Sequence, residues 1–147
     1  MPQFARPSAT TTLGSYTDQA GGVTNIHLTI DEVTADDADY IRSPASPINE
    51  AYVCSLSSVT DPVSSTGHII RMRTSVDLAS QESLDFTQQL RQGYVSEASQ
   101  GTLIASQSRT AVTSTTWTTS AYTLTGAEAD AITNYASLFF RFNINRP

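Results

Sequence analysis

A chain of 147 residues has the length of one domain and can bury roughly two-thirds of the surface its unfolded form exposes, so no disulfide scaffold is needed. It carries 19 serines and 21 threonines, while charged residues make up 15%, well under the usual figure of about 25%. Hydroxyls stand where a helical protein places glutamate and lysine, which is a β-rich surface composition. Lysine is absent and the net charge is -6, so chemistry that needs an amine, such as a Schiff base or a phosphate-loop lysine, is excluded.

The arginines are scattered from Arg6 to Arg146, whereas phosphate neutralisation needs them clustered, and no nucleic-acid partner is expected. One cysteine, Cys54, cannot form an intrachain disulfide. No run approaches the roughly 18 apolar residues of a membrane span, and residues 1–7 lack the apolar stretch of a secretory signal. The expected setting is a cytoplasm, with any release by a route other than secretion.

Residues 1–24 hold Pro2, Pro7, three consecutive threonines from Thr10, and Gly14, Gly21 and Gly22, without steady apolar periodicity. They read as an extended N-terminal arm, the alternative being a frayed terminus. Phe4, Arg6, Leu13 and Tyr16 are the arm's candidate partner contacts. Deleting the arm is expected to leave the melting transition intact. From residue 25 the pattern alternates, with Ile26, Leu28 and Ile30 on one face of a predicted strand. Five acids between Asp31 and Asp39 follow, then Pro44 and Pro47 interrupt regular structure. Residues 51–57 predict a strand placing Tyr52, Cys54 and Leu56 together. Residues 68–75 predict another, with Ile70 and Met72 opposing Ile69, Arg71 and Arg73. Arg71 and Arg73 share one face, which suits a partner's carboxylates or, more simply, is a solvated face.

Leu84, Phe86, Gln88 and Leu90 alternate in a further strand, Leu103 and Ala105 mark the next, and residues 117–124 make a threonine-dense sixth. Thr125-Gly126-Ala127-Glu128 fits a capping box that opens a short helix. The final strand sets Leu138, Phe140, Phe142 and Ile144 inward against Phe139, Arg141 and Asn143. Seven short strands without long amphipathic helices predict an all-β, antiparallel, β-sandwich or jelly-roll-like domain over residues 25–147, preceded by the arm. Its core is expected to include Ile26, Leu28, Ile30, Phe86, Leu103, Phe140 and Phe142.

No catalytic residue stands out. His27 and His68 sit on separate predicted strands without a cysteine or carboxylate at ligand spacing. The acidic run lacks the spacing of a calcium loop and reads as a solvated turn, or as a helix start capped by Thr34. Cys54 reads as a packed thiol, since no nucleophile motif surrounds it. Trp117 and Tyr122 suggest a sugar-stacking platform or, more simply, sheet-end aromatics. No metal or cofactor is expected.

Gly21-Gly22 with Asn25 to Asp31-Glu32, Asp36-Asp37-Ala38-Asp39-Tyr40-Ile41 and Ser43, Gly67-His68-Ile69-Ile70-Arg71, Leu103-Ile104-Ala105, Trp117-Thr118-Thr119, and Leu124-Thr125 with Ala129-Asp130-Ala131-Ile132 and Tyr135 together resemble a family of small structural proteins encoded in the virion-assembly regions of tailed bacteriophages and prophages. The resemblance spans most of residues 14–142 and implies a noncatalytic virion component, foremost a capsid decoration or cement protein. Its partners would then be the major capsid protein and further copies of itself in a symmetric oligomer, and its place the capsid surface. The alternative is a tail or fibre component with a carbohydrate-binding sandwich. The resemblance supplies no catalytic residue.

Overall fold

Leu84, Phe86 and Leu90, and Leu138, Phe140, Phe142 and Ile144, recur at every second position, while threonines crowd residues 7–12 and 118–123; alternating apolar residues and β-branched threonine both suit a pleated strand. The computed structural model describes residues 2–77 and 83–147. Among them β1 (Pro7–Thr12), β4 (Glu50–Leu56), β9 (Leu138–Asn145), β6 (Leu84–Gln92) and β7 (Thr102–Val112) hydrogen-bond in that order into one antiparallel sheet. β5 (Ile69–Thr74) pairs with β8 (Thr118–Thr123), and β2 (Thr17–Asp18) pairs with β3 (Ile41–Arg42), each an antiparallel two-stranded unit. The fold is all-β and sandwich-like, with one short helix near the C-terminus.

The central strand β9 explains the core. Its register sets Phe140 between Cys54 and Leu90, and Phe142 between Tyr52 and Gln88, while Ile144 faces Phe86. With period two, these side chains share the inner face of the large sheet. A first cluster gathers Tyr16, Ile26, Tyr52, Cys54, Val76, Phe86 and Ile144; a second gathers Leu90, Ile104, Ala105, Leu124, Ile132 and Leu138. Ile70 of β5 and Tyr122 of β8 pack on the second cluster, so the β5–β8 pair covers one end of the inner face. Ile41 of β3 and Leu13 pack on the first. The second layer is thus in separate pieces.

On the opposite face the β6–β7 loop lies across the sheet. Tyr94 stacks on Phe139 with ring centroids 5.7 Å apart, and its hydroxyl meets Thr12 Oγ1 at 2.8 Å. The Glu97 carboxylate accepts from Arg141 Nη2 at 2.7 Å and from the Tyr94 hydroxyl at 2.8 Å. That fork of hydrogen bonds pulls the Glu97 carboxyl below its ordinary range, despite the opposing effect of burial.

The helix α1 (Gly126–Asp130) begins where the capping box predicts. Glu128 N–H donates to Thr125 Oγ1 at 3.3 Å, and Thr125 N–H donates to Glu128 Oε2 at 2.8 Å. It stops after five residues, shorter than the pattern predicts.

Several expectations need correction. The first 24 residues are extended but are not a separate arm: β1 pairs along β4, Leu13 packs on the core and Tyr16 is only 2% exposed. The sequence pattern hides this because β1 is an edge strand, read as Pro-Ser-Ala-Thr-Thr-Thr, in which threonine rather than an apolar residue supplies the inward contacts. Thr10 Oγ1 meets the hydroxyl of Tyr52 at 3.2 Å, and Thr10 N–H donates to His27 Nδ1 at 3.2 Å. Residues 25–30 are not a strand. Asn25 adopts φ 52°, and residues 26–29 wind into a 3-10 turn that buries Ile26 and His27 and turns Leu28 out to 56% exposure. Leu103 is also exposed, because the β6–β7 register shifts between Leu90 and Arg91, setting Leu103 opposite Arg91 and leaving Ile104 and Ala105 as consecutive buried residues. Ile26 and Phe86 are buried as expected, whereas Ile30, Phe140 and Phe142 are only half-buried.

Candidate binding cleft between the sheets

Where the second layer leaves the large sheet uncovered lies a cleft of about 1990 Å³. Its floor is the inner face of β4 and β9, with Tyr52, Leu56, Phe140 and Phe142. Phe142 is fixed by stacking on Phe86 at 5.5 Å and by the edge of Tyr16 at 6.2 Å. Residues 67–77, including all of β5, form one wall, residues 2–7 another, and residues from the 30–47 segment close the rest. A volume this size exceeds the roughly 300–1,000 Å³ of a small-molecule pocket.

Five of the six residues singled out in the sequence line this one cleft: Phe4, Arg6, Tyr16, Arg71 and Arg73. Phe4 is exposed at the mouth, with the Arg6 guanidinium 5.3 Å above its ring. Arg6 also donates to the backbone oxygen of Glu32, and its own backbone ties to residue 57, Ser57 N–H donating to Arg6 O at 2.7 Å. Arg73 is engaged bidentately by Asp37, Nε to Oδ1 at 2.5 Å and Nη2 to Oδ2 at 2.7 Å, and the Asp37 carboxyl is lowered by that hydrogen bonding. Arg71 is exposed and has no hydrogen-bond or ion-pair partner among the described residues. Tyr16 belongs to the floor, where burial raises its hydroxyl far above the ordinary range. Leu13 packs on the adjoining core.

The acidic segment is a turn rather than a helix start: Ala38 N–H donates to Asp36 Oδ1 at 2.9 Å. Within it burial raises the Glu32 carboxyl, with Asp39, Asp31 and Asp36 adding to the rise. Trp117 packs against Tyr40 in a tilted pair with ring centroids 5.6 Å apart at the cleft's end, while Tyr122 points its hydroxyl to Glu128 at 2.8 Å. The two aromatics therefore serve different contacts rather than one platform. His27 binds Thr10, and His68 Nε2 meets the hydroxyl of Tyr135 at 2.7 Å; the histidines do not converge. Among the described residues no three metal-ligating side chains come together. Cys54 is fully buried with its thiol pushed up to about 12 by burial, so at neutral pH it is a packing group and not a nucleophile.

Tyr52 is buried in the core as its strand position predicts, whereas Phe140 and Phe142, also read as inward, are half-buried and border an open cleft that sequence reasoning missed. The signal is faint but physical: an aromatic-rich face five strands wide is matched by too few apolar strands to cover it.

Compared with models of protein families, with curated proteins and with solved structures, the chain matches none. The cleft's geometry and the sequence segments above are what bear on function.

Proposed function

We propose that the protein is a noncatalytic structural component of a bacteriophage virion, a capsid decoration protein that binds the outer shell and bridges subunits of the major capsid protein through the cleft between its sheets. One observation carries the reading: Phe4, Arg6, Arg71 and Arg73, named from the sequence as partner contacts, meet around one apolar trough too large for a small ligand. The sequence segments that resemble small virion proteins point the same way. Apolar side chains left in water at the mouth, Phe4 and Val33 foremost, favour a macromolecular partner. Icosahedral sites are related by rotation, so copies on the shell form a symmetric oligomer, using a surface other than the cleft.

The test is cosedimentation of the purified protein with undecorated capsids. Occupancy is expected for the native chain, with a marked fall for Phe4→Ser combined with Arg71→Glu, both exposed positions whose change leaves the melt in place. Absence of cosedimentation, or equal occupancy by the double variant, refutes the reading.

A further inference from the structure

We propose that β5 receives an extended segment of a partner chain as an additional strand, and that this segment alternates apolar residues with a carboxylate set opposite Arg71. The proposal rests on the reading of the cleft as the partner-binding surface and names the chemistry of what enters it.

In an antiparallel pair, residues alternate between those that exchange N–H and C=O with the opposite strand and those whose groups point away. Leu124 N–H donates to His68 O at 2.9 Å, so 68 and 124 are a bonded pair. Counting by twos along the register, Ile70 with Tyr122, Met72 with Ser120 and Thr74 with Thr118 are bonded pairs as well. Ile69, Arg71 and Arg73 therefore turn their N–H and C=O groups away from β8, and these groups have no partner among the described residues. The cleft runs along this edge: every residue from 67 to 77 borders it, whereas β8 contributes Thr119 alone. An unpaired edge beside an apolar trough has the geometry of strand addition, in which main-chain bonds supply affinity and alternate side chains supply specificity.

The side chains fix what the incoming strand carries. Residues aligned with Ile70 and Met72 share the face of those two half-buried side chains, which turns to the trough, and must be apolar. On the other face Arg73 is already held by Asp37, which leaves Arg71 as the cation to be matched. A second copy of β5 does not fit. Two-fold antiparallel pairing centred on Arg71 or Met72 sets arginine against arginine, and like charges directly opposite are destabilising; centred on Ile70 it sets Arg71 against Ile69 and leaves the cation without a carboxylate. The occupant is a segment of a different chain.

The test is a titration of the full chain with two blocked peptides, Thr-Val-Thr-Val-Asp-Val-Thr-Val-Thr and its counterpart with lysine at the centre, read by amide hydrogen exchange. The aspartate peptide is expected to protect the amides of Ile69, Arg71 and Arg73 while leaving Ile70 and Met72, already bonded to β8, unchanged. It should bind about five- to tenfold more tightly than the lysine peptide, and Arg71→Glu should reverse the preference. Ile69→Pro removes an outward N–H without touching the β8 ladder, so it should keep the melt and lose the peptide. Binding without new protection at the three amides refutes strand addition and leaves the cleft as a binding surface. A dimer formed through β5, or no binding of either peptide at millimolar concentration, refutes the proposal. Capsid occupancy that survives Ile69→Pro refutes strand addition while the virion reading stands.

Discussion

Removing residues 1–24 should unfold the protein. The deletion takes away β1, whose register covers β4 from Pro7 opposite Leu56 to Thr12 opposite Val53, and with it the partners of three interior groups. His27 loses the Thr10 amide at 3.2 Å and the Tyr52 hydroxyl loses Thr10 Oγ1, while the Tyr94 hydroxyl loses Thr12 but keeps Glu97. It also removes Tyr16, a core side chain at 2% exposure that touches both Tyr52 and Phe142. Truncating a buried aromatic costs about 3–5 kcal/mol, and a buried polar group left without its partner costs about 1–3 kcal/mol. A domain of this size is stable by about 5–15 kcal/mol in all. The sum consumes most or all of that margin. The assay is thermal and urea melting of the truncated chain beside Tyr16→Ala, which isolates the aromatic and should lose about 3–5 kcal/mol while remaining folded. A cooperative melt of the truncated chain within a few degrees of the full-length protein would refute the reasoning and restore residues 1–24 as a detachable arm.

Other perturbations test separate parts of the account. Thr125→Ala removes the hydroxyl that caps α1 and should cost about 1 kcal/mol, a fall of roughly 2–4 °C in melting temperature; an unchanged melt would show that the cap contributes nothing. The Glu97 carboxyl is lowered in the folded state by Arg141, so its stabilising contribution is complete above the unfolded value near 4.5 and is lost as pH falls through the folded value. Glu97→Gln should accordingly lower the melting temperature at pH 7, with the deficit shrinking as pH falls below 4.5; a deficit that stays constant with falling pH would contradict the linkage. Phe140→Ala, at a half-buried position on the cleft floor, should cost less than the roughly 3–5 kcal/mol of a fully buried phenylalanine; a full loss in urea melts would mean the cleft is closed in solution.

What the sequence makes legible follows from how each element buries its side chains. β6 and β9 alternate cleanly because they lie in the interior of the large sheet, with one face on the core, and period two survives there undisturbed. Helix α1 is legible because its capping box is a local chemical device, Thr125 and Glu128 closing each other's orphan groups. β1 escapes notice because an edge strand needs little apolar surface and its threonines act through hydroxyl bonds to His27 and Tyr52. The 3-10 turn at 26–29 mimics a strand because Ile26, Leu28 and Ile30 happen to alternate, while the positive φ of Asn25 redirects the chain. Leu103 is misassigned by one residue of bulge. For the cleft, Arg71, Arg73, Phe4 and Arg6 are legible as exposed contacts, but that they share one mouth depends on β5 facing residues 2–7 across the sheet, a juxtaposition that no local pattern encodes.

The measurement that bears most directly on the central claim is an image reconstruction of capsids incubated with the native protein, at a resolution that traces its strands. The account predicts density on the outer shell in which β5 and the cleft face a capsid subunit, with a segment of that subunit lying along Ile69, Arg71 and Arg73. A shell without added density, or bound copies whose clefts open to solvent, would contradict it.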